Sequence, residues 1–218
     1  MTALECYKKY RIYRGLQLHQ LRVAAVARTI ALTSKEPLDP EAITRIMLVH
    51  DMGNIIKADL VHFQEFLEPE GLEYWQAVKG EFRERYGDDE HVATNAICRE
   101  LGFSDSELAI IDNLRFSRTR WILESGSLEQ KICKYADLRV SPWGIVPMLA
   151  RLAEARERYG ARPMDAGEQY TGDDVEKGIA LCIALEENLI QRCDFKPEDL
   201  TDASLAALVE ELKTYPVA

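Results

Sequence analysis

The sequence predicts an all-α fold, and three observations support that prediction. Apolar residues recur at steps of three and four along much of the chain, which is the spacing of one helix face. Helix-capping residues precede several of these runs. Alternating apolar and polar stretches, which would indicate strands, are few. Amphipathic helices bury their apolar stripes against one another, so we expect a helical bundle.

The first two helices have clear signals. The first is predicted from apolar residues that share one face: Ile12, Leu16, Val23, Val26 and Ile30. The second is predicted to begin at Asp39, which can cap it, with Pro40 in its first turn. Its apolar stripe is Ile43, Ile46 and Met47, and Gly53 is predicted to end it. Residues 59–86, rich in aromatic and charged side chains, predict one or two short helices.

Capping signals also mark the helices that follow. They are Asp88 and Asp89 before a helix that closes at Gly102, then Ser104 with Glu107, then Ser127 with Gln130. After Pro142 the sequence predicts an amphipathic segment at 144–159, a loop at 160–172, a long helix at about 173–193 and a short one at about 201–213. We therefore expect a helical core over residues 1–160 and a C-terminal helical extension over 161–218 packed on it.

Composition limits the classes of function. With 218 residues, 47% of them hydrophobic, the chain can fill a core. The net charge of -10 disfavours binding to a nucleic-acid polymer, although a local cation can still attract a small anionic substrate. No apolar run has signal-peptide or membrane-span character, so no membrane association is expected. The five scattered cysteines form no CxxC pair, which favours reduced thiols in the cytoplasm.

Three polar residues lie where apolar ones would be expected. His19, His50 and Asp137 each share a face with apolar neighbours on separate predicted helices. Alone, each histidine could be a hydrogen-bonded core residue, and the aspartate could cap a loop. Together they could converge on one divalent cation, which would compensate the buried carboxylate. Asp51 could join the adjacent His50 at such a cation only near the end of a helix, which Gly53 is predicted to provide.

The order His19, His50–Asp51, Asp137 resembles the H…HD…D signature of the HD-domain metal-dependent phosphohydrolase superfamily. The local sequences around these residues are also similar to those of the family, namely HQLRVAAVA, LVHDMGN and KYADLRV. The resemblance covers roughly residues 10–141. It implies a helical bundle with one divalent metal ion bound by His19, His50, Asp51 and Asp137. Such a mixed N/O set suits Mn, Fe, Co, Ni or Zn and tolerates Mg. The resemblance also gives Asp51 a catalytic role in orienting the attacking water.

The chain departs from the family pattern at several positions. Many members follow the HD pair with a small residue and then Lys, whereas here the small residue Gly53 is followed by Asn54. Lys57 could replace that lysine as a phosphate contact, or it could be a solvated surface residue. His91 could act in the site, on a second metal or the leaving phosphate, or it could be a polar first-turn residue. His62 is interpreted as structural, so a mononuclear site is the first choice.

Phosphate binding requires cations beyond the metal. Arg22 follows His19 by one turn and could reach the same cavity. Arg118 belongs to the RFSRTRW segment with Arg115 and Arg120, and is the second arginine predicted to contact substrate. The alternative is a solvated basic loop on an acidic protein.

We therefore expect hydrolysis of a small phosphate ester, in particular a nucleotide, and the nucleotide rests on the resemblance alone. The alternative from another class is a non-enzymatic HD module that senses a nucleotide or a partner protein. An RNA-acting HD nuclease conflicts with the acidic charge. The segment after residue 142 and the acidic C-terminus could support a homodimer.

Overall fold

The computed structural model describes residues 1–160 and 172–218, and helices dominate them. The α-helices are α1 (Ala3–Lys9), α2 (Arg14–Leu32), α3 (Pro40–Met47), α4 (Gly71–Tyr86), α5 (Glu90–Glu100), α6 (Asp105–Asp112), α7 (Thr119–Ser125), α8 (Leu128–Leu138), α9 (Met148–Gly160), α10 (Gly172–Arg192) and α11 (Asp202–Leu212). Single 3-10 turns lie at Asn54–Ile56, Gln64–Phe66, Phe116–Arg118 and Pro197–Asp199. The all-α prediction is confirmed. Residues 161–171, nearly all of the predicted loop at 160–172, lie outside the described residues.

Most helix starts lie where the capping residues predicted them. The Asp39 carboxylate accepts hydrogen bonds from the backbone N–H groups of Glu41 and Ala42, each at 3.0 Å. Ser104 and Ser127 each begin a helix with a complete capping box. Asp89 caps α5, and the backbone turns after that helix at Gly102, whose φ is +83°.

Helix α7 (Thr119–Ser125) was not predicted, and neither were two further elements. Helix α1 is capped by Thr2, whose capping-box spacing with Glu5 is visible in the sequence and was the signal that could have found it. The second element is a short antiparallel hairpin, in which β1 (Val140–Ser141) pairs with β2 (Gly144–Ile145). Each strand has two residues, which is too short for an alternating pattern to show.

The predicted end of the second helix at Gly53 is wrong, because α3 ends at Met47. Residues 48–53 form turns, so His50 and Asp51 follow the helix instead of extending its stripe. Gly53 is needed for a different reason. A Cβ atom at this position would lie 2.3 Å from the carbonyl oxygen of Glu90 and 2.8 Å from the backbone nitrogen of Thr94. Its missing side chain therefore lets the start of α5 pack directly on this turn.

Helix α2 is central, and it packs against α3, α8 and α11. The middle of α2 is fully buried and rich in small residues, namely Val23, Ala24, Ala25, Val26 and Ala27. Small side chains allow neighbouring helices to approach closely. The two helices that lead to the other predicted metal ligands, α3 and α8, therefore lie directly beside the helix that carries His19.

A buried arginine joins the end of α8 to the C-terminal part of the chain. Arg139 is 2% exposed, and its Nε donates to the carbonyl oxygen of Val146 at 2.7 Å. Its Nη2 donates to the carbonyl oxygens of Pro197 at 2.9 Å and Leu200 at 3.1 Å. Its Nη1 donates to the hydroxyl of Tyr135 at 2.8 Å. These bonds satisfy a charge that would otherwise be costly to bury.

The division into a core of residues 1–160 and an extension of residues 161–218 stays a prediction. Helix α11, which belongs to the predicted extension, packs on α2. Across the described ranges, each helix is either too short or too polar to traverse a bilayer.

Candidate metal centre

Four side chains from three separate stretches of chain converge at one point. His19 projects from the second turn of α2, Asp137 from the last turn of α8, and His50 and Asp51 from the turn after α3. Because α2 packs between α3 and α8, these positions are brought together by helix packing alone. The turn conformation also lets two adjacent residues, His50 and Asp51, face the same point.

The atoms that could bind a metal lie close to one another. Nε2 of His19 is 3.6 Å from Oδ2 of Asp51 and 3.3 Å from Oδ1 of Asp137. Nε2 of His50 is 3.8 Å and 3.7 Å from the same two oxygens. His19, His50 and Asp51 each offer an atom within 4.8 Å of the other two, which makes them a possible metal site. All four predicted metal ligands are therefore brought together.

The residues fit a divalent ion on two grounds. Ligands bound at about 2.0–2.2 Å from one ion lie roughly 3–4 Å apart, which is the spacing found here. Nε2 of His50 is buried, and it has no hydrogen-bond partner among the residues that the structure describes. A buried polar atom of this kind is costly unless something satisfies it, and a cation bound by this nitrogen would do so.

Neighbouring groups orient these ligands. Nδ1 of His50 lies 2.8 Å from the carbonyl oxygen of Met47, which can only accept, so Nδ1 carries the proton and Nε2 faces the site. The side-chain amide of Asn54 donates to Oδ2 of Asp51 at 2.6 Å. The backbone N–H of Asp51 donates to Oε1 of the buried Gln20 at 3.2 Å. Outer contacts of this kind fix ligand geometry in metal sites.

The charges of the site perturb one another. Burial lowers the pKa of His50, but the nearby carboxylates of Asp51 and Asp137 outweigh burial and raise that pKa to about 9. Burial alone would raise the pKa of Asp137, yet the nearby imidazoles of His19 and His50 hold it well below its usual range. The pKa of Asp51 is also lowered, since the charges of the imidazoles and of Lys57 exceed the effect of burial.

Lys57 and His91 lie at the edge of this cluster and meet at Glu90. Nζ of Lys57 is 2.9 Å from Oε1 of Glu90, and Nε2 of His91 is 3.3 Å from the same oxygen. The charge of Lys57 reaches Asp51, because it helps to lower the pKa of that carboxylate. The pKa of His91 is lowered mainly by burial. The carboxylate of Glu90 opposes this change, and the charges of Lys57 and Arg115 add to it. The catalytic role of His91 and the substrate contact of Lys57 stay predictions.

Arg22 and Arg118 are the two arginines that were predicted to contact substrate. Nε of Arg22 is 2.8 Å from Oδ1 of Asp202, the first residue of α11, so this guanidinium is engaged by an ion pair. Arg118 is exposed at the end of a 3-10 turn. Arg115 is the arginine of that segment whose charge affects His91. The substrate roles of Arg22 and Arg118 stay untested predictions.

Sequence reasoning missed two residues that support the site. Asn54 stands out in the sequence only as a departure from the family pattern, whereas it bonds to the Asp51 carboxylate. Its spacing of three residues from Asp51 at a predicted helix end was the available signal. Gln20 gave no signal beyond being a polar residue next to His19. His62, interpreted as structural, packs its ring against Phe63 at a centroid distance of 4.6 Å.

Comparison with known proteins agrees with this geometry. The family model described as HD domain matches residues 17–139, which include all four predicted metal ligands. No curated protein matches the chain. No solved structure matches it either. Because the family model covers more than half of the chain, the chain belongs to the HD domain family of the metal-dependent phosphohydrolase superfamily, whose domains bind divalent metals.

Proposed function

We propose that this protein is a divalent-metal-dependent phosphohydrolase that acts on a small phosphate ester, in particular a nucleotide. The observation that carries the proposal is the meeting of His19, His50, Asp51 and Asp137, whose histidine and carboxylate atoms lie 3.3–3.8 Å apart. Two imidazoles and two carboxylates form a donor set suited to Mn, Fe, Co, Ni or Zn and acceptable to Mg. One such ion is proposed for this site.

A bound divalent ion would supply a water of lowered pKa and polarise a phosphoryl oxygen. The chain's own residues would orient the attacking water and transfer protons. Asp51, whose carboxylate accepts a hydrogen bond from the amide of Asn54, would in turn accept one from the attacking water. His91, whose pKa is lowered chiefly by burial, is neutral at pH 7, so one ring nitrogen can accept a proton while the other donates.

Local charge supports a small anionic substrate despite the net charge of -10. Lys57 and Arg115 place two cations near His91, and their charges contribute, together with burial, to the lowered pKa of that imidazole. At short range such charges attract a phosphate group more strongly than a diffuse negative charge repels it. A nucleic-acid polymer would meet the acidic surface over a much larger area, so it is not the proposed substrate.

The cysteines support a cytoplasmic location within this proposal. Cys6, Cys98, Cys133, Cys182 and Cys193 are all buried and unpaired. Five buried thiols suit a reducing compartment, where they need not form disulfides. A homodimer is compatible with the proposal but is not needed for it, since all four metal ligands come from one chain.

The test combines elemental analysis with a substrate screen. Metal-loaded wild-type protein is expected to hold about one divalent ion per chain and to hydrolyse p-nitrophenyl phosphates or nucleotides. His50→Ala and Asp51→Ala are expected to lose both metal and activity. Asp105→Asn is the control, because that carboxylate is 97% exposed and lies on α6. Full metal content and activity in both ligand variants would refute the proposal, and nucleotide binding without turnover would favour the sensor instead.

A further inference from the structure

Aromatic side chains form a bridge beside the metal centre. Ring centroids of Phe63 and Phe66 are 6.2 Å apart, and those of Phe63 and Trp143 are 5.8 Å apart. We call Phe63, Phe66 and Trp143 the aromatic bridge. It joins the segment after the HD pair to the hairpin turn after α8. Trp143 is 52% exposed, and the two phenylalanines are half-buried, so the bridge presents ring surface to solvent.

One end of the bridge is anchored on α2 at the turn before His19. A Cβ atom at Gly15 would lie 2.9 Å from Cβ and Cγ of Phe66, so Phe66 contacts the helix backbone directly. Residues four apart on a helix share a face. Phe66 therefore lies on the α2 face that carries His19, one turn away from it.

The other end of the bridge is anchored at the turn after His19. Arg22 follows His19 by three residues and pairs with Oδ1 of Asp202 at 2.8 Å. Oδ2 of Asp202 accepts a hydrogen bond from the backbone N–H of Ile145, in the hairpin that carries Trp143, at 2.9 Å. The hairpin strands also pack on α2. Gly15 and Arg22 are about 10 Å apart along the helix, and His19 lies between them.

We propose that the aromatic bridge binds the planar ring of the substrate, so that the preferred esters are nucleoside monophosphates; this inference rests on the proposed function. A phosphate at the His19 cluster would place an attached nucleoside against the bridge. Aromatic side chains stack on any base, because every base has a π-face. The interaction would therefore select for an aromatic ring and tolerate different bases.

The experiment compares esters that differ in the ring. Wild-type metal-loaded protein is expected to have a kcat/KM for adenosine 5′-phosphate and cytidine 5′-phosphate on the order of 10-fold above that for ribose 5-phosphate. Trp143→Ala is expected to remove most of this ratio. Phe63→Leu keeps apolar volume without an aromatic ring and is expected to reduce the ratio as well. Trp121→Ala is the control, because that indole is 41% exposed on α7, which packs against α8 and α10.

A second readout does not depend on turnover. Adenosine 5′-phosphate is expected to quench the tryptophan fluorescence of wild-type protein, and Trp143→Phe is expected to lose that quenching. Equal kcat/KM for nucleotides and ribose 5-phosphate, or equal losses for both in Trp143→Ala, would overturn the inference and leave the phosphohydrolase intact. If no ester is hydrolysed, the proposed function fails, and the titration still decides: quenching that requires Trp143 supports the bridge, and its absence overturns it.

Discussion

Nε2 of His19 lies 3.3 Å from Oδ1 of Asp137, although the two residues come from different helices, α2 and α8. The contact depends on the packing of those helices, since nothing in the local sequence of either residue brings the other near. Oδ1 of the same Asp137 carboxylate also lies 3.7 Å from Nε2 of His50, so it is close to both imidazoles.

Replacing Asp137 by Asn should weaken metal binding at least about 100-fold, because an amide supplies no negative charge to the ion. The dissociation constant can be measured by competition with a chromophoric chelator. Asp105→Asn, with an exposed carboxylate on α6, should bind metal as the wild type does. Unchanged affinity in Asp137→Asn would show that this carboxylate is not a ligand.

Replacing Asn54 by Ala should weaken metal binding about 10- to 100-fold, as is usual for residues that orient a metal ligand. The variant loses the amide that donates to Oδ2 of Asp51 at 2.6 Å, so the carboxylate can rotate away. Asn113→Ala is a matched control, because its amide donates to the backbone carbonyl of Ala109 at the end of α6. The same chelator competition applies, and equal affinity in both variants would contradict the positioning role.

Gly53→Ala should destabilise the fold by about 1–3 kcal/mol, because the new methyl group would overlap the carbonyl oxygen of Glu90 at 2.3 Å. Gly80→Ala provides the opposite case. Gly80 lies inside α4, and a methyl group there would have no atom within 4 Å, so alanine should stabilise by up to about 1 kcal/mol. Urea unfolding of both variants gives the comparison, and equal free energies of unfolding would contradict the steric argument.

Metal affinity should rise with pH up to about pH 9. In the metal-free protein the pKa of His50 is raised to about 9, so the imidazole is protonated at pH 7 and a metal must displace that proton. One released proton corresponds to about a tenfold gain in affinity per pH unit below that pKa. Calorimetry in buffers of different ionisation enthalpy measures the release. His62→Ala should show the same dependence of metal affinity on pH as the wild type. An affinity that does not change between about pH 6.5 and 8.5 would contradict the release of a proton from His50.

The same shift has a consequence for stability without metal. A folded-state pKa above the ordinary value of about 6.5 means that protonated His50 stabilises the metal-free fold. This contribution is fully present below about pH 6.5 and is lost as the pH rises through about 9.

Native protein should resist thiol reagents at pH 8. Burial raises the pKa of Cys6 to about 12 and that of Cys182 to about 11, and it also raises the pKa of the other three thiols. Thiolate is the reactive form, so little reaction is expected until the chain unfolds. Labelling with a chromogenic disulfide should detect about five thiols per chain in denaturant and close to none in the native protein. Rapid labelling of any native cysteine would contradict this burial.

Sequence periodicity and capping predicted the all-α fold because both are local properties of a helix. The four proposed metal ligands come from two kinds of signal. His19, His50 and Asp137 are polar residues on apolar stretches, and together with Asp51 they occur in an order that resembles the family signature. The end of α3 was wrong because the glycine that suggested it serves a contact with α5, and that contact is invisible in the sequence. The ion pair of Arg22 could not be predicted for the same reason: its partner Asp202 is far away in the sequence, and only the fold brings the two together.

The hydrogen bonds of Arg139 bear on where this chain can be shortened. Two of its bonds end on the carbonyl oxygens of Pro197 and Leu200, beyond α10. A truncated protein that stopped at residue 160 would keep the whole stretch matched by the family model but deprive an interior guanidinium of both these acceptors. The stretch that carries the four proposed metal ligands therefore takes part of its stability from C-terminal residues that lie outside the range matched by the family model.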